Sequence, residues 1–208
     1  MLYLQLVHYF QEPKHSRRRA LDILRAKVQL LKDMGYIHQD RLTPKGLFAS
    51  RIHGYELLLS ELYADGTLEQ LSSLALGLLC TALVYEPRKK DEVPPLEKYV
   101  KRLKKTTDKV LAIIHCREHK ARIKPLSKKG YFHLAPAMEA WLKGKDFGTM
   151  LKCTNVDEGE VVRYLRMSVQ ILREILDAPI SEALREKLRG LIRSINRDVV
   201  DSEKQLRI

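Results

Sequence analysis

Residues 71–85 are nearly all apolar and end at Glu86-Pro87, so this segment must be surrounded by other parts of the chain. The run falls short of the roughly 20 residues of a membrane span. A helix that is hydrophobic on most sides belongs at the centre of a bundle. The segment therefore predicts one buried helix enclosed by others, and its buried side chains are expected to include Leu74, Leu76, Leu78, Leu79, Leu83 and Val84.

Amphipathic stretches flank this segment, with apolar residues spaced by three and four as in a helix packed on one side. Helix 17–34, with Ser16 as its cap, is predicted to bury Leu21, Leu24, Val28 and Leu31. Helix 96–120 is predicted to bury Tyr99, Leu103, Val110, Ile113 and Ile114. A last helix from Ser181 to the end is predicted to bury Leu184, Leu188, Ile192, Ile195 and Val199. Further helices are expected at 56–64, 131–143, 147–153 and 157–176.

Residues 35–43, between helix 17–34 and a helix that Pro44 opens, are predicted to form a small hairpin. Gly35 suits the end of a helix, two short extended pieces surround a polar turn, and Thr43-Pro44 is typical of a helix start. The predicted fold is all-α, a helical bundle with a wing-like β-hairpin near residues 36–43. Residues 1–16 are expected to form an N-terminal connection and 17–208 the bundle, with an internal boundary near the charged, Pro-rich segment 88–95.

The positive charge is concentrated in one stretch of the chain. Of the net charge of +12, residues 98–129 contribute +10, with 12 basic and 2 acidic side chains. A concentrated basic field attracts polyanions, and nucleic acid is the first candidate. A solvated, Lys-rich helix face is the alternative interpretation.

Nothing in the sequence indicates a membrane span or a secretory signal: the apolar opening Met1–Phe10 is short and is followed, not preceded, by basic residues. The cysteines at 80, 116 and 153 are odd in number and far apart, which argues against a disulfide framework. The expected location is therefore intracellular and cytoplasmic, with no membrane partner.

Motifs for catalysis are absent from the sequence. It contains no phosphate-binding Gly-x-x-x-x-Gly-Lys-Ser/Thr loop and no nucleophile elbow, so we expect no catalytic residue and no cofactor in this chain. His115 and His119 share one helical face at a spacing that suits metal ligands. A third ligand is not evident and the segment is strongly cationic, so two surface histidines are the preferred interpretation and no metal site is predicted.

Helix 157–176 has a polar stripe that suits single-stranded nucleic acid. Guanidinium planes can stack on unpaired bases and pair with phosphates, whereas an ordinary solvated surface helix would show the same pattern. At about 100° per residue, a stripe about 80° wide holds Arg163, Arg166, Gln170 and Arg173. The opposite, apolar face holds Val161, Leu165, Val169, Leu172, Ile175 and Leu176.

Three blocks of sequence, in order, resemble one family. Residues 42–62, with TPKGLFASRI followed by ELLLSEL, resemble the T-x-K-G-x-x-A-x-x-I and E-L-L-x-T-E-L block of exosome-associated, superkiller-like and HelY-like DExH-box RNA helicases. Residues 74–87 are similar to the helix that follows in those proteins. The third block, WLKGKDF, DEGEVVR and INRDVV within residues 141–200, resembles their closing motifs. The likeness covers roughly residues 17–205 and identifies the C-terminal helical (DSHCT) domain of that family.

The resemblance implies a helical bundle beside two ATPase motor domains, forming one wall of the channel for single-stranded RNA. The family's ratchet helix, which faces the RNA bases, matches 157–176, and Arg163 and Arg166 match its arginines spaced by three. This chain departs at Met167 and Gln170, where eukaryotic members carry Arg and Glu. ATP and magnesium would belong to the motor domains, which are expected partners in cis or in trans.

The hypothesis from sequence is an RNA-contacting accessory domain without catalysis of its own. Its predicted contact residues are Arg163, Arg166, Gln170 and Arg173 on one helix and Lys101, Lys104 and Lys105 in the basic stretch. One alternative is a winged-helix DNA-binding regulator that uses residues 17–52. The other alternative is a helical scaffold that docks a protein partner.

Overall fold

The computed structural model describes residues 14–201, with side chains from residue 20 onward. Within that part of the chain the fold is an all-α bundle with one two-stranded sheet, as predicted. The α-helices are α1 (Lys14–Asp33), α2 (Pro44–Ala49), α3 (Glu56–Ala64), α4 (Thr67–Gln70), α5 (Ser73–Val84), α6 (Lys98–Lys120), α7 (Ala135–Leu142), α8 (Phe147–Leu151), α9 (Glu158–Leu176) and α10 (Glu182–Ile195). The strands are β1 (Ile37–His38) and β2 (Arg41–Leu42), and 3₁₀ turns span Phe132–Leu134 and Asp198–Val200.

Helix α5 is the centre of the bundle, as its composition predicts. Every residue from 76 to 85 is buried, and α6, α7, α9 and α10 all contact this helix. Gly77 permits the close approach of α7, because a Cβ there would lie 2.8 Å from the Leu142 side chain. The connection at 88–95 has no helix or strand, and α5 before it packs on helices that follow it.

The hairpin forms at the predicted position. β1 and β2 pair antiparallel through a two-residue turn, Gln39-Asp40, in which both residues have positive φ, at 47° and 58°. Such a turn matches the twist of a tight hairpin. Thr43 then caps α2 by accepting a hydrogen bond from the Gly46 amide at 3.2 Å, with Pro44 in the first turn.

Several predicted helices differ from the observed ones at their ends: α6 begins at Lys98, and predicted helix 131–143 is a 3₁₀ turn followed by α7. Ser16 lies inside α1 and does not precede it, since α1 begins at Lys14. The last helix ends at Ile195, and Val199 belongs to the 3₁₀ turn that follows. The helix stops because Asn196 adopts ψ 65° and Asp198 has a positive φ of 52°, which turns the chain back over the bundle.

The returning segment is held by Trp141 and Arg197. The indole N–H of Trp141 donates to the Ile195 carbonyl at 2.9 Å, and the Arg197 guanidinium stacks 3.6 Å from the centre of the indole. The same guanidinium donates to the carbonyls of Trp141 and Lys145 at 2.9 and 2.7 Å. These contacts place residues 196–200 alongside α9.

Two predicted buried faces are wrong in part. On α6, Tyr99 and Ile113 are exposed. On α1, Leu21, Leu24 and Val28 are exposed, although α1 is amphipathic as predicted. The buried stripe of α6 instead consists of Val100, Leu103, Thr107, Leu111, Ile114 and Glu118. None of the helices within residues 14–201 has the length and apolarity of a membrane span.

The substitution Gly46→Ala tests the packing of the hairpin against α2. A Cβ at this position would lie 2.2 Å from the Tyr36 carbonyl oxygen, which is backbone and cannot turn aside. We expect the free energy of unfolding in urea to fall by about 3 kcal/mol or more, because the overlap forces the hairpin off the helix. The matched control is Gly190→Ala within α10, where nothing lies within 4 Å, and a gain of about 0.5–1 kcal/mol is expected. Equal effects at the two glycines would contradict this packing.

Candidate nucleic-acid interface

Helix α9 is fixed in rotation by its buried side. The Ser168 hydroxyl donates to the Tyr164 carbonyl at 2.7 Å and contacts the Thr81 hydroxyl of α5 at 3.1 Å. The buried face is wider than the predicted one, because Tyr164, Ser168 and Ile171 are also buried, while Leu176 is half-buried. Glu158 and Glu160 lie in the first turn, where negative charge interacts favourably with the helix dipole.

The open side of α9 presents a row that we name the α9 row: Arg163, Met167, Gln170 and Glu174, with Glu160 at its start. Arg163, Met167 and Gln170 are exposed, and successive members are spaced by three or four, so they lie along one edge of the helix. The row therefore continues for most of the length of α9 as a strip of mixed chemistry.

Arg163 is held in a defined position within this row. Its guanidinium donates to Glu160 Oε2 at 2.7 and 3.2 Å and lies 4.2 Å from the centre of the Tyr164 ring. Arg88, from the connection after α5, reaches the same carboxylate oxygen at 3.0 Å. The hydrogen bond from Arg163 lowers the pKa of Glu160, so the pair stays charged in mildly acidic solution. One face of the guanidinium covers Tyr164, and the side chain is about half exposed.

Arg166 does not lie in the open stripe where the helical wheel places it. It is half-buried, and its Nε and Nη2 donate at 2.9 Å to the carbonyls of Val200 and Val199. The returning C-terminal segment covers this edge of α9, which a helical wheel cannot show. Contact of Arg166 with RNA stays a prediction, and the geometry gives this side chain a structural role.

The far end of the row is tied to the loop before α3. Gln170 Nε2 lies 3.4 Å from Glu174 Oε1, and the other Glu174 oxygen accepts the His53 amide at 3.0 Å. Arg173 is exposed beside the row. His53 is a neighbour that sequence reasoning missed, because it lies 121 positions from Glu174 and only the tertiary fold joins them.

The second predicted group lies on α6. Lys101 and Lys105 are exposed, together with Lys98, Arg102 and Lys109. Lys104 is half-buried and forms an ion pair with Asp108. We name this surface, residues 98–109 on the open side of α6, the α6 basic face.

Both acidic side chains of the 98–129 stretch are engaged within the fold. Asp108 pairs with Lys104. Glu118 is buried and accepts hydrogen bonds from the Ser127 amide at 3.0 and 3.1 Å and from its hydroxyl at 2.7 Å. Glu118 thus holds the basic 124–130 loop against α6, and the solvent-facing side of α6 is left almost purely positive.

The candidate metal pair has a different use. His115 Nε2 lies 2.8 Å from the Ser127 carbonyl, and His119 is exposed on α6. Among the residues that the structure describes, no three His, Cys, Asp or Glu side chains are grouped so that they could hold a metal ion. His115 therefore helps Glu118 to hold the basic loop.

The predicted contact residues form two surfaces. α6 packs against α3 and α5, whereas α9 packs against α5 and α10. Helix α5 thus lies between the α6 basic face and the α9 row. Arg88, Lys89 and Lys90 line a cavity at the start of α9, together with Glu160. These three side chains add positive charge near the α9 row, whereas the sequence indicated only an exposed connection at this point.

Substitution of Arg166 tests its structural role. Arg166→Ala leaves the two carbonyls of Val199 and Val200 without these donors, and we expect a loss of about 2 kcal/mol in the free energy of unfolding. Arg163→Ala removes a half-exposed ion pair, and the expected loss is below about 1 kcal/mol. Arg166→Lys keeps the charge without the two-pronged donor and should remain destabilised. Urea denaturation followed by circular dichroism measures all three, and a stable Arg166→Ala variant would refute the role.

Comparisons with known proteins agree with the sequence motifs. The sequence model of the DSHCT (NUC185) domain matches residues 39–203. The ATP-dependent RNA helicase mtr4 of Schizosaccharomyces pombe is 25% identical over 96% of this chain and 19% of its own length. The antiviral helicase SKI2 of Saccharomyces cerevisiae is 28% identical over 84% of the chain and 14% of its own length. The exosome RNA helicase MTR4 of Homo sapiens is 26% identical over 86% and 18%. The chain thus spans less than a fifth of the length of these relatives.

Proposed function

We propose, from the premise that this chain belongs to the DSHCT (NUC185) domain family, that it is an RNA-contacting accessory domain of an ATP-dependent DExH-box RNA helicase. The chain is a relative of one part of such helicases. In the proposal it contributes no catalytic residue: ATP and magnesium are bound by motor domains, which this domain meets in cis or in trans. The free cysteines at 80, 116 and 153 support the further proposal of a cytoplasmic location.

The α9 row is the observation that carries the proposal. Its three exposed members combine a planar guanidinium at Arg163, a thioether at Met167 and an amide at Gln170 on a helix whose other side is buried. Unpaired bases bind such surfaces by stacking and by hydrogen bonds at their edges. Because Glu160 and Tyr164 already orient Arg163, little side-chain freedom is lost when a base stacks on it.

The α6 basic face has a separate role in the proposal. Lys101, Lys104 and Lys105 supply attraction to the phosphate backbone that does not depend on base sequence. Lys104 contributes less than its exposed neighbours because Asp108 partly neutralises it. Backbone attraction and base contact would thus occur on different helices.

The winged-helix alternative finds less support in the structure. The helix after the hairpin, α2, is only six residues long, and both Gly46 and Phe48 on it are buried. A recognition helix must instead present three or four side chains to base edges. The protein-docking scaffold remains the rival that the binding experiments distinguish.

Substitution of the α9 row tests base contact. Fluorescence anisotropy with labelled single-stranded RNA should show that Arg163→Ala/Gln170→Ala weakens binding about tenfold, which corresponds to one lost stacking contact of 1–3 kcal/mol. The matched control is Arg193→Ala, which removes an exposed arginine of α10 outside the row, and its expected effect is less than about twofold. Equal losses in the two variants would indicate non-specific attraction. No binding even at about 50 mM salt would favour the scaffold.

Charge removal on α6 tests the electrostatic role. Lys101→Gln/Lys105→Gln should weaken binding of all RNA sequences alike and reduce the slope of log K against log salt by about 2. The reason is that each lysine paired with a phosphate releases a counterion. The matched control is Lys152→Gln/Arg193→Gln, which removes two exposed charges elsewhere. An unchanged slope in the α6 variant would exclude this face from the RNA path.

A further inference from the structure

Helix α1 has two apolar sides, and within residues 14–201 only the end of one of them is covered by the rest of the fold. Leu30 and Met34 are buried at the junction with the hairpin, and Ala26 packs at the edge of the core. The other side holds Leu21, Leu24 and Val28, which are 38%, 57% and 36% exposed. Ile23, one turn or more before Leu30 on the first side, is 44% exposed, so that side is covered only near the hairpin. An amphipathic helix that serves only its own core has one such side, so the second side needs another explanation.

The exposed side has the spacing of a coiled-coil seam. Leu21, Leu24, Val28 and Leu31 follow one another at three, four and three residues, the a-d-a-d pattern of two heptads. They lie within a strip about 80° wide. Leu31 is partly buried where the seam reaches the body of the domain. The positions that would continue the seam toward the N-terminus, 14 and 17, are Lys and Arg, so the seam comprises four layers.

The flanks of the seam are basic. Arg25 and Lys32 occupy one flanking position in successive heptads, and Lys27 occupies the other. The whole helix carries seven basic and two acidic side chains. A second copy of the chain would bring like charges together in either orientation, which opposes association. Residues 1–13 contain a single acidic side chain, Glu12, so that segment offers little complementary charge.

The seam differs from a surface that binds a lipid bilayer. Interfacial helices have a broad apolar face, commonly with Trp or Phe at the boundary. Residues 14–33 contain no aromatic side chain of that kind, and Lys27 separates the seam from the apolar side that carries Ile23 and Leu30. The lack of aromatic side chains and the heptad spacing of the seam therefore favour a protein helix as the occupant.

We propose that the seam of α1 binds an acidic amphipathic helix of a partner polypeptide outside this chain. Apolar residues of the partner pack between Leu21, Leu24, Val28 and Leu31, and its Glu or Asp side chains face Arg25, Lys27 and Lys32. The proposal concerns a surface that the proposed RNA contacts do not use, and it does not depend on them. Four layers fit a partner helix of about two heptads.

A designed peptide tests this surface directly on the full 208-residue chain. The probe is a fluorescein-labelled peptide of about three heptads with Leu at a and d and Glu at e and g. We expect it to bind, to bind more weakly as salt rises, and to lose at least about tenfold in affinity with Leu24→Ser. A peptide with Lys at e and g should not bind. The matched variant Val93→Ser, at an apolar side chain that is 74% exposed elsewhere, should bind normally.

Several outcomes would overturn the proposal. No binding of the Glu peptide, equal binding of the Lys peptide, or no effect of Leu24→Ser would each do so. A dimer in sedimentation velocity that Leu24→Ser disperses would assign the seam to a second copy. Binding to phosphatidylglycerol vesicles that Leu24→Ser abolishes would assign it to a lipid surface. Peptide binding that appears only after deletion of residues 1–13 would assign it to the chain's own N-terminal segment.

Discussion

Burial of α5 on all sides is the constraint on which the rest of this structure depends. Residues 76–85 expose almost no surface, so each helix that covers them must turn its apolar side toward the same axis. The contact between Ser168 and Thr81 shows how this sets the candidate site. Five residues correspond to about 140° around a helix, so the inward side chain at 168 directs Arg163 toward solvent.

Much of this architecture could be predicted because periodicity and capping are local properties. The central helix, the hairpin, the Thr43 cap and the rotation of α9 all follow from residues near one another in sequence. The predicted buried face of α9 was incomplete because it left out the polar Ser168. A serine is expected at the surface, yet this hydroxyl is buried and has hydrogen-bond partners in Tyr164 and Thr81. Hydropathy alone does not show such pairing.

Other features depend on contacts between distant residues and could not be predicted. The covering of Arg166 requires the chain to reverse after Ile195 and to be held by Arg197 on Trp141. On α6, Glu118 enters the buried stripe because Ser127 supplies three hydrogen bonds to it, whereas the apolar Ile113 faces solvent. On α1 the predicted helical spacing of apolar residues was correct. Two sides of the helix carry apolar residues at that spacing, and the sequence does not indicate which side packs against the bundle.

In the proposed RNA contact, α9 and α6 have different electrostatic roles. Along the α9 row, Glu160 and Glu174 offset Arg163, with Arg88 as a further cation at the edge. A phosphate would have to compete with Glu160 for Arg163, whereas a base can stack on the guanidinium while that ion pair stays intact. The α6 basic face has the opposite character, since Asp108 and Glu118 are both engaged and neighbouring lysines remain open. A nearly neutral strip would let a strand slide past without holding its backbone, and the positive face on the other helix would keep the strand near. That separation suits contact with a moving strand better than a single strongly basic groove, where each phosphate would be held in place.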